Sequence, residues 1–139
     1  MNRILGLDYG DKAIGVSISD PLGLTAQPLE TIVSKDEYTI KPSVSRLKEI
    51  IKEYDVSTII LGLPKNMDNT LGPRAEKTID FMERLKRNFK KVEITLWDER
   101  LSTMAIERAL GELKQKDQRY DHLAATYILQ GYLDRMNRS

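Results

Sequence analysis

The stretch Ile4-Leu5-Gly6-Leu7-Asp8-Tyr9-Gly10 decides how this chain is read. An apolar run ends in a carboxylate, and a glycine follows two residues later. Ala13 to Ser19 reads as a second short strand, joined to the first (Arg3 to Asp8) by the hairpin-like connection Tyr9-Gly10-Asp11-Lys12. A strand that delivers Asp8 to its own end puts an acid at the rim of a sheet, where a divalent cation or a phosphate can be held. The plainer alternative is that aspartate ends the strand because it suits turns. Two further acidic stations downstream favour the functional reading.

Outward from this hairpin, Pro21 to Gly23 makes a turn and Thr25 to Val33 a third extended segment. Pro28 argues that this segment is an edge strand or carries a bulge. The period then changes. Val44, Leu47, Ile50 and Ile51 recur at helical spacing over Pro42 to Tyr54, with the proline suited to the first turn. Thr58 to Leu63 is a continuous apolar run stopped by Pro64, as in a strand buried on both faces. After the loop Pro64 to Gly72, a helix is predicted from Pro73 to about Asn88, then a strand from Val92 to Trp97. A helix over Leu101 to Leu113 and another over Tyr120 to Met136 complete the order β-β-β-α-β-α-β-α-α. A meander followed by alternating helices and strands predicts an α/β fold, one mixed five-stranded sheet with helices on both faces.

The chain has 139 residues, which suits one domain spanning 1–139. With a net charge of +1, bulk charge does not by itself point to a nucleic-acid partner, and any basic surface must be local. There is no cysteine, hence no disulfide framework or thiolate metal site, and a single histidine, His122, excludes a multi-histidine zinc site. The chain enters its first strand without an apolar leader and has no run of membrane-spanning length. A cytoplasmic protein without membrane association is therefore expected.

The second acidic station is Trp97-Asp98-Glu99-Arg100, where a strand ends and a helix is predicted to begin. Ligands of α/β sheets collect at such carboxyl ends. Asp98 as a helix cap, with Glu99 favouring the positive helix end, is the competing explanation. The third station is Asp121. With Ala124, Ala125, Ile128 and Tyr132 it lies on one helical stripe, so it continues an apolar face. An acid there is costly unless paired, liganded or protonated, or unless it serves as the N-cap. The small Ala124-Ala125 pair would bring this helix close to the sheet and Asp121 towards Asp8. Carboxylates converging from two strand ends and a helix head suit Mg²⁺, and two such ions can promote phosphodiester hydrolysis.

Five basic residues and no acid occupy Arg84 to Lys91, which reads most simply as a solvated helix end. Lys114, Lys116 and Arg119 precede Asp121. Lys12, Arg74 and Arg100 each flank a motif, and all of these could contact a nucleic-acid backbone without specifying sequence.

Four ordered motifs carry a family resemblance. They are Gly6-Leu7-Asp8-Tyr9-Gly10 with Lys12 and Ile14-Gly15-Val16; Gly62-Leu63-Pro64-Lys65-Asn66-Met67-Asp68 with Gly72-Pro73-Arg74-Ala75; Asp98-Glu99-Arg100-Leu101-Ser102-Thr103; and Asp121-His122-Leu123-Ala124-Ala125 with Ile128-Leu129-Gln130-Gly131-Tyr132-Leu133. Nearly end to end, the chain resembles the YqgF (RuvX) family of small ribonuclease H-like proteins, described as pre-16S rRNA nucleases or Holliday-junction resolvases. The resemblance implies a ribonuclease H-like sheet and cleavage dependent on Mg²⁺ or Mn²⁺. It implies Asp8, Glu99 and Asp121 as the catalytic, metal-binding set, with Asp98 as alternative ligand, support or cap. Lys12, Asn66, Asp68, Arg74 and Arg100 are the substrate-binding candidates. The partner would be nucleic acid, either a ribosomal RNA precursor (or its precursor particle) or branched DNA, and the protein a monomer or homodimer. Asp11 departs from the small hydroxyl residue frequent at that turn position, and the segment before Asp121 is less basic than in relatives. Two rival classes are a non-catalytic RNA- or ribosome-binding module and a phosphotransferase or ATPase. The latter architecture needs two such domains.

Overall fold

The described elements follow the period changes closely. In chain order they are β1 (Arg3–Tyr9), β2 (Ala13–Ser19), β3 (Ala26–Val33), α1 (Lys41–Tyr54), β4 (Val56–Leu63), α2 (Pro73–Asn88), β5 (Glu93–Asp98) and α3 (Tyr120–Met136). The structure is a computed structural model that describes residues 2–34, 40–64, 68, 70–98 and 120–138, with the backbone alone for Tyr120 and Asp121. The helix predicted over Leu101 to Leu113 lies outside these residues.

The strands form one five-stranded sheet in the order β3-β2-β1-β4-β5. The meander gives antiparallel β1–β2 and β2–β3 pairs, whereas β1–β4 and β4–β5 are parallel and need helical crossovers. α1 opens with a proline in its first turn and closes at Asp55, whose φ of 55° is left-handed and whose N–H donates to the Ile51 carbonyl. Pro28 sits where both of its expected tolerances meet. β3 is an edge strand, and its register with β2 slips between Val16, opposite Glu30, and Ser17, opposite Pro28.

The pleat divides the side chains between two layers. Leu5, Leu7, Ile59 and Leu61 pack with Val44, Leu47 and Ile50 of α1 and Phe81 and Leu85 of α2. On the opposite face Ile60 packs with Ile128, Leu129 and Leu133 of α3, joined by Ile4, Trp97 and Tyr132. β4 is thus buried on both faces, with Ile59, Ile60 and Leu61 all at 0% exposure.

α3 comes so close to β1 that a Cβ on Gly6 would stand 2.6 Å from the Leu129 Cβ and 2.9 Å from the Ala125 carbonyl oxygen. The Ser17 hydroxyl, 2.8 Å from that same carbonyl, donates to it across the interface. The predicted close approach through Ala125 is therefore found, with Gly6 as its other half. The buried stripe runs through Ala125, Ile128, Leu129 and Leu133, while Ala124 and Tyr132 flank it half-buried. Asp121 lies within the helix, so the N-cap alternative does not hold.

Candidate active site at the strand ends

β1 sets Asp8 down at its carboxyl end, half-buried. Its place in the pleat is that of Ile4 and Gly6, which face α3. Across the β1–β2 pair Asp8 stands opposite Gly15, and Gly15 in turn stands opposite Thr31 of β3. On the other side Gly62 is one residue beyond the Leu7–Leu61 pair of β1 and β4. Both strands that flank Asp8 therefore present a glycine beside it. The residues directly opposite Asp8 thus add no side chain of their own beside it, which leaves room for a ligand at the strand ends.

The head of α3 is tied to the same row. His122 Nδ1 lies 3.0 Å from the Thr31 hydroxyl. Thr31, Gly15 and Asp8 share one cross-strand row, so this bond holds the first turn of α3, which contains Asp121, at the level of Asp8.

Asp98 ends β5, opposite Leu63. Ile94 and Leu96 pack on the α1/α2 layer and Trp97 on the α3 layer, so alternation puts Asp98 on the α1/α2 face, away from Asp8. Two strand spacings also separate the ends of β1 and β5, about 10 Å at about 4.8 Å each. Glu99, Asn66 and Arg100 lie outside the described residues, as does the Asp121 side chain. Among the described residues no three histidine or carboxylate side chains form a metal cluster. The oxygen donor that is described, a half-buried carboxylate with glycines on both sides, fits a hard divalent cation.

Of the other candidates, Lys12 is exposed in the β1–β2 turn. Asp68 is exposed too, and its Oδ1 accepts from the Thr70 N–H at 3.1 Å and the Thr70 hydroxyl at 2.5 Å, an aspartate-stabilised turn. Arg74 is engaged within the protein. Its Nη1 donates to Asp11 Oδ1 at 2.5 Å, its Nη2 donates to the Tyr9 carbonyl, and its guanidinium lies 5.1 Å from the centre of the Tyr9 ring. Arg74 thus clamps the turn that follows Asp8 onto the head of α2. Asp11 is the side-chain partner in this clamp. Sequence reasoning missed this pair and the His122–Thr31 pair, because 63 and 91 residues separate the partners and no local pattern links them.

Comparison with known proteins places this geometry. A family model described as "RuvX: Holliday junction resolvase" matches residues 2–135. The chain belongs to the RuvX family. Among its relatives, a protein of Acetivibrio thermocellus is 49% identical over 136 residues, covering 95% of both chains, and is described as "Putative pre-16S rRNA nuclease". A protein of Clostridium novyi with the same description is 51% identical over 136 residues, 95% of this RuvX chain and 98% of the relative. In fold, this RuvX chain is similar to Thermus thermophilus RuvC in complex with Holliday junction substrate, with a TM-score of 0.65 at 11% identity over 100% of this chain and 98% of RuvC. The sheet is therefore the ribonuclease H-like one that the motifs implied.

Proposed function

We propose that this RuvX chain is a cytoplasmic, metal-dependent nuclease that hydrolyses phosphodiester bonds in the 5′ segment of the 16S rRNA precursor. The observation that carries this reading is Asp8 at a strand end, flanked by Gly15 and Gly62 and level with the head of α3. The metal-binding set is Asp8, Glu99 and Asp121. Asp98 is on the opposite face from Asp8, which favours its neighbour Glu99 as the ligand and leaves Asp98 a supporting place. Mg²⁺ or Mn²⁺ bound there would supply Lewis-acid stabilisation of the charge that develops on the phosphate.

The chain's own residues hold the site in shape. Gly15 and Gly62 admit the phosphate to the carboxylate, and His122 holds the helix head. The Arg74–Asp11 clamp fixes the turn beside Asp8, and exposed Lys12 on that turn contacts the backbone. The described relatives support a ribosomal RNA precursor as substrate, either free or in a precursor particle. The family description favours a second reading, a Holliday-junction resolvase. That activity cuts two strands symmetrically and calls for a homodimer, whereas a monomer suffices for the rRNA reading.

Asp8→Asn tests the proposal. It should abolish Mn²⁺- and Mg²⁺-dependent cleavage and leave the circular dichroism spectrum unchanged. Unaltered turnover in that variant would overturn it. Calorimetric Mn²⁺ titration separates the neighbours: Glu99→Gln should lose binding about as severely as Asp8→Asn, and Asp98→Asn much less.

A further inference from the structure

On the face of the sheet opposite Asp8 lies a cleft of about 600 Å³ between the head of α1, the β1–β2 turn and α2. Its floor is apolar and aromatic: Tyr9 stacks on Phe81 with ring centroids 4.2 Å apart and planes 7° from parallel, beside Ile40. Its wall carries Lys77, Arg84 and Arg87. These lie at i, i+7 and i+10 of α2, one stripe about 15 Å long at about 1.5 Å per residue.

We propose that this cleft binds the phosphodiester backbone of the strand flanking the scissile bond, a track that leads substrate away from the active site. The proposal rests on the nuclease reading above and adds to it a second contact surface. Four observations favour it over a merely solvated helix end. The cations line a concavity with an aromatic floor, and polynucleotide grooves combine those two features. The floor begins at Tyr9, the residue after Asp8, so the cleft opens at the same end of β1 as the catalytic carboxylate. Asp11, on the rim, is already neutralised by Arg74 at 2.5 Å and Lys77 at 3.5 Å. Arg84 and Arg87 have no ion-pair partner among the described residues. Among the described lining residues, Asp80 is the one carboxylate outside this ion-pair network, and it opposes phosphate binding.

Fluorescence anisotropy with the full chain tests this, using labelled single-stranded RNAs of roughly 4 and roughly 16 nucleotides. Arg84→Gln/Arg87→Gln should weaken the long strand about tenfold and reduce its salt slope by about 1.4, two contacts at about 0.7 each, while barely moving the short strand. Lys90→Gln/Lys91→Gln makes the same charge change outside the cleft and should shift the long strand less than about threefold. Asp80→Asn should tighten the long strand, a gain that misfolding cannot produce. Equal losses in both double variants, an unchanged salt slope in the arginine variant, or competition of the long strand by excess AMP would each overturn the track. Metal-dependent cleavage by the parent protein is read separately, so a failed nuclease reading and a failed track give different results.

Discussion

Asp8 stands half-buried between glycines of both neighbouring strands, and the turn after it is clamped. Two single side chains set testable limits on that picture. His122→Ala removes the 3.0 Å bond to Thr31 and should cost about 1 kcal/mol in urea unfolding. It should also weaken Mn²⁺ binding, because the first turn of α3 loses its tie to the Asp8 row. Unchanged Mn²⁺ affinity would mean that Gly6 and Ser17 alone place the helix. Asp20, remote from the site, gives a pH signature. Its carboxylate accepts from the Leu24 N–H at 2.8 Å, and that backbone bond foremost holds its pKa below the usual 3.8. A carboxylate depressed in the folded state stabilises above its unfolded pKa, and the contribution is lost as pH falls through the lower folded value. Asp20→Ala should therefore lower Tm near neutrality by an amount that shrinks as pH falls below 3.8. A constant Tm difference across that range would contradict the assignment.

Between elements, the α3–β1 interface and the Arg74 clamp decide where the site's parts stand. Gly6→Ala would place a Cβ 2.5 Å from the Ser17 Oγ and 2.6 Å from the Leu129 Cβ, neither of which is the far end of a flexible chain. The expected cost is about 1–3 kcal/mol in chemical denaturation. Full wild-type stability would show the interface to be looser than described. Arg74→Ala should leave the sheet intact and lower turnover, and Arg74→Lys should not restore it, since one ammonium cannot span both Asp11 and the Tyr9 carbonyl. Rescue by lysine would argue for a simple charge effect. Much at this scale was legible in sequence. Pro28 announced an edge or a bulge, the apolar run Thr58 to Leu63 announced a doubly buried strand, and the Asp121 stripe announced a helix laid on the sheet. Pairings between distant segments were not legible: Arg74 with Asp11, His122 with Thr31, and Ser17 with Ala125, 108 residues away. Each partner looks like an ordinary polar residue in its own neighbourhood. The face of Asp98 was recoverable by counting in twos from Ile94 and Leu96, a signal that capping chemistry at the strand end masked.

Across the whole molecule, the proposed function gives the two helical layers different chemistry. Asp8 is on the α3 face of the sheet and the cationic cleft on the α1/α2 face, with the end of β1 common to both. A net charge of +1 is compatible with this because 22 basic and 21 acidic residues nearly cancel over the chain, while the cations of the cleft share one stripe. Among the described residues no helix is long and apolar enough to cross a membrane. The family assignment rests on the family model that matches residues 2–135 and on relatives 49% and 51% identical. Two of the three proposed ligand side chains lie outside the described residues, so their roles rest on the motif order and on the face of Asp98.

Metal-dependent cleavage that requires Asp8 can be decided by one comparison. A labelled 16S precursor 5′ segment and a four-way DNA junction would be incubated with the parent protein under Mn²⁺, Mg²⁺ and chelator, beside Asp8→Asn. The account predicts cutting of the ribosomal segment with either metal, and none with chelator or in the variant. Cutting of the junction alone would move the substrate to branched DNA. Salt-sensitive binding of the RNA that ignores chelator, with no cutting of either substrate, would contradict the claim and leave a binding module in its place.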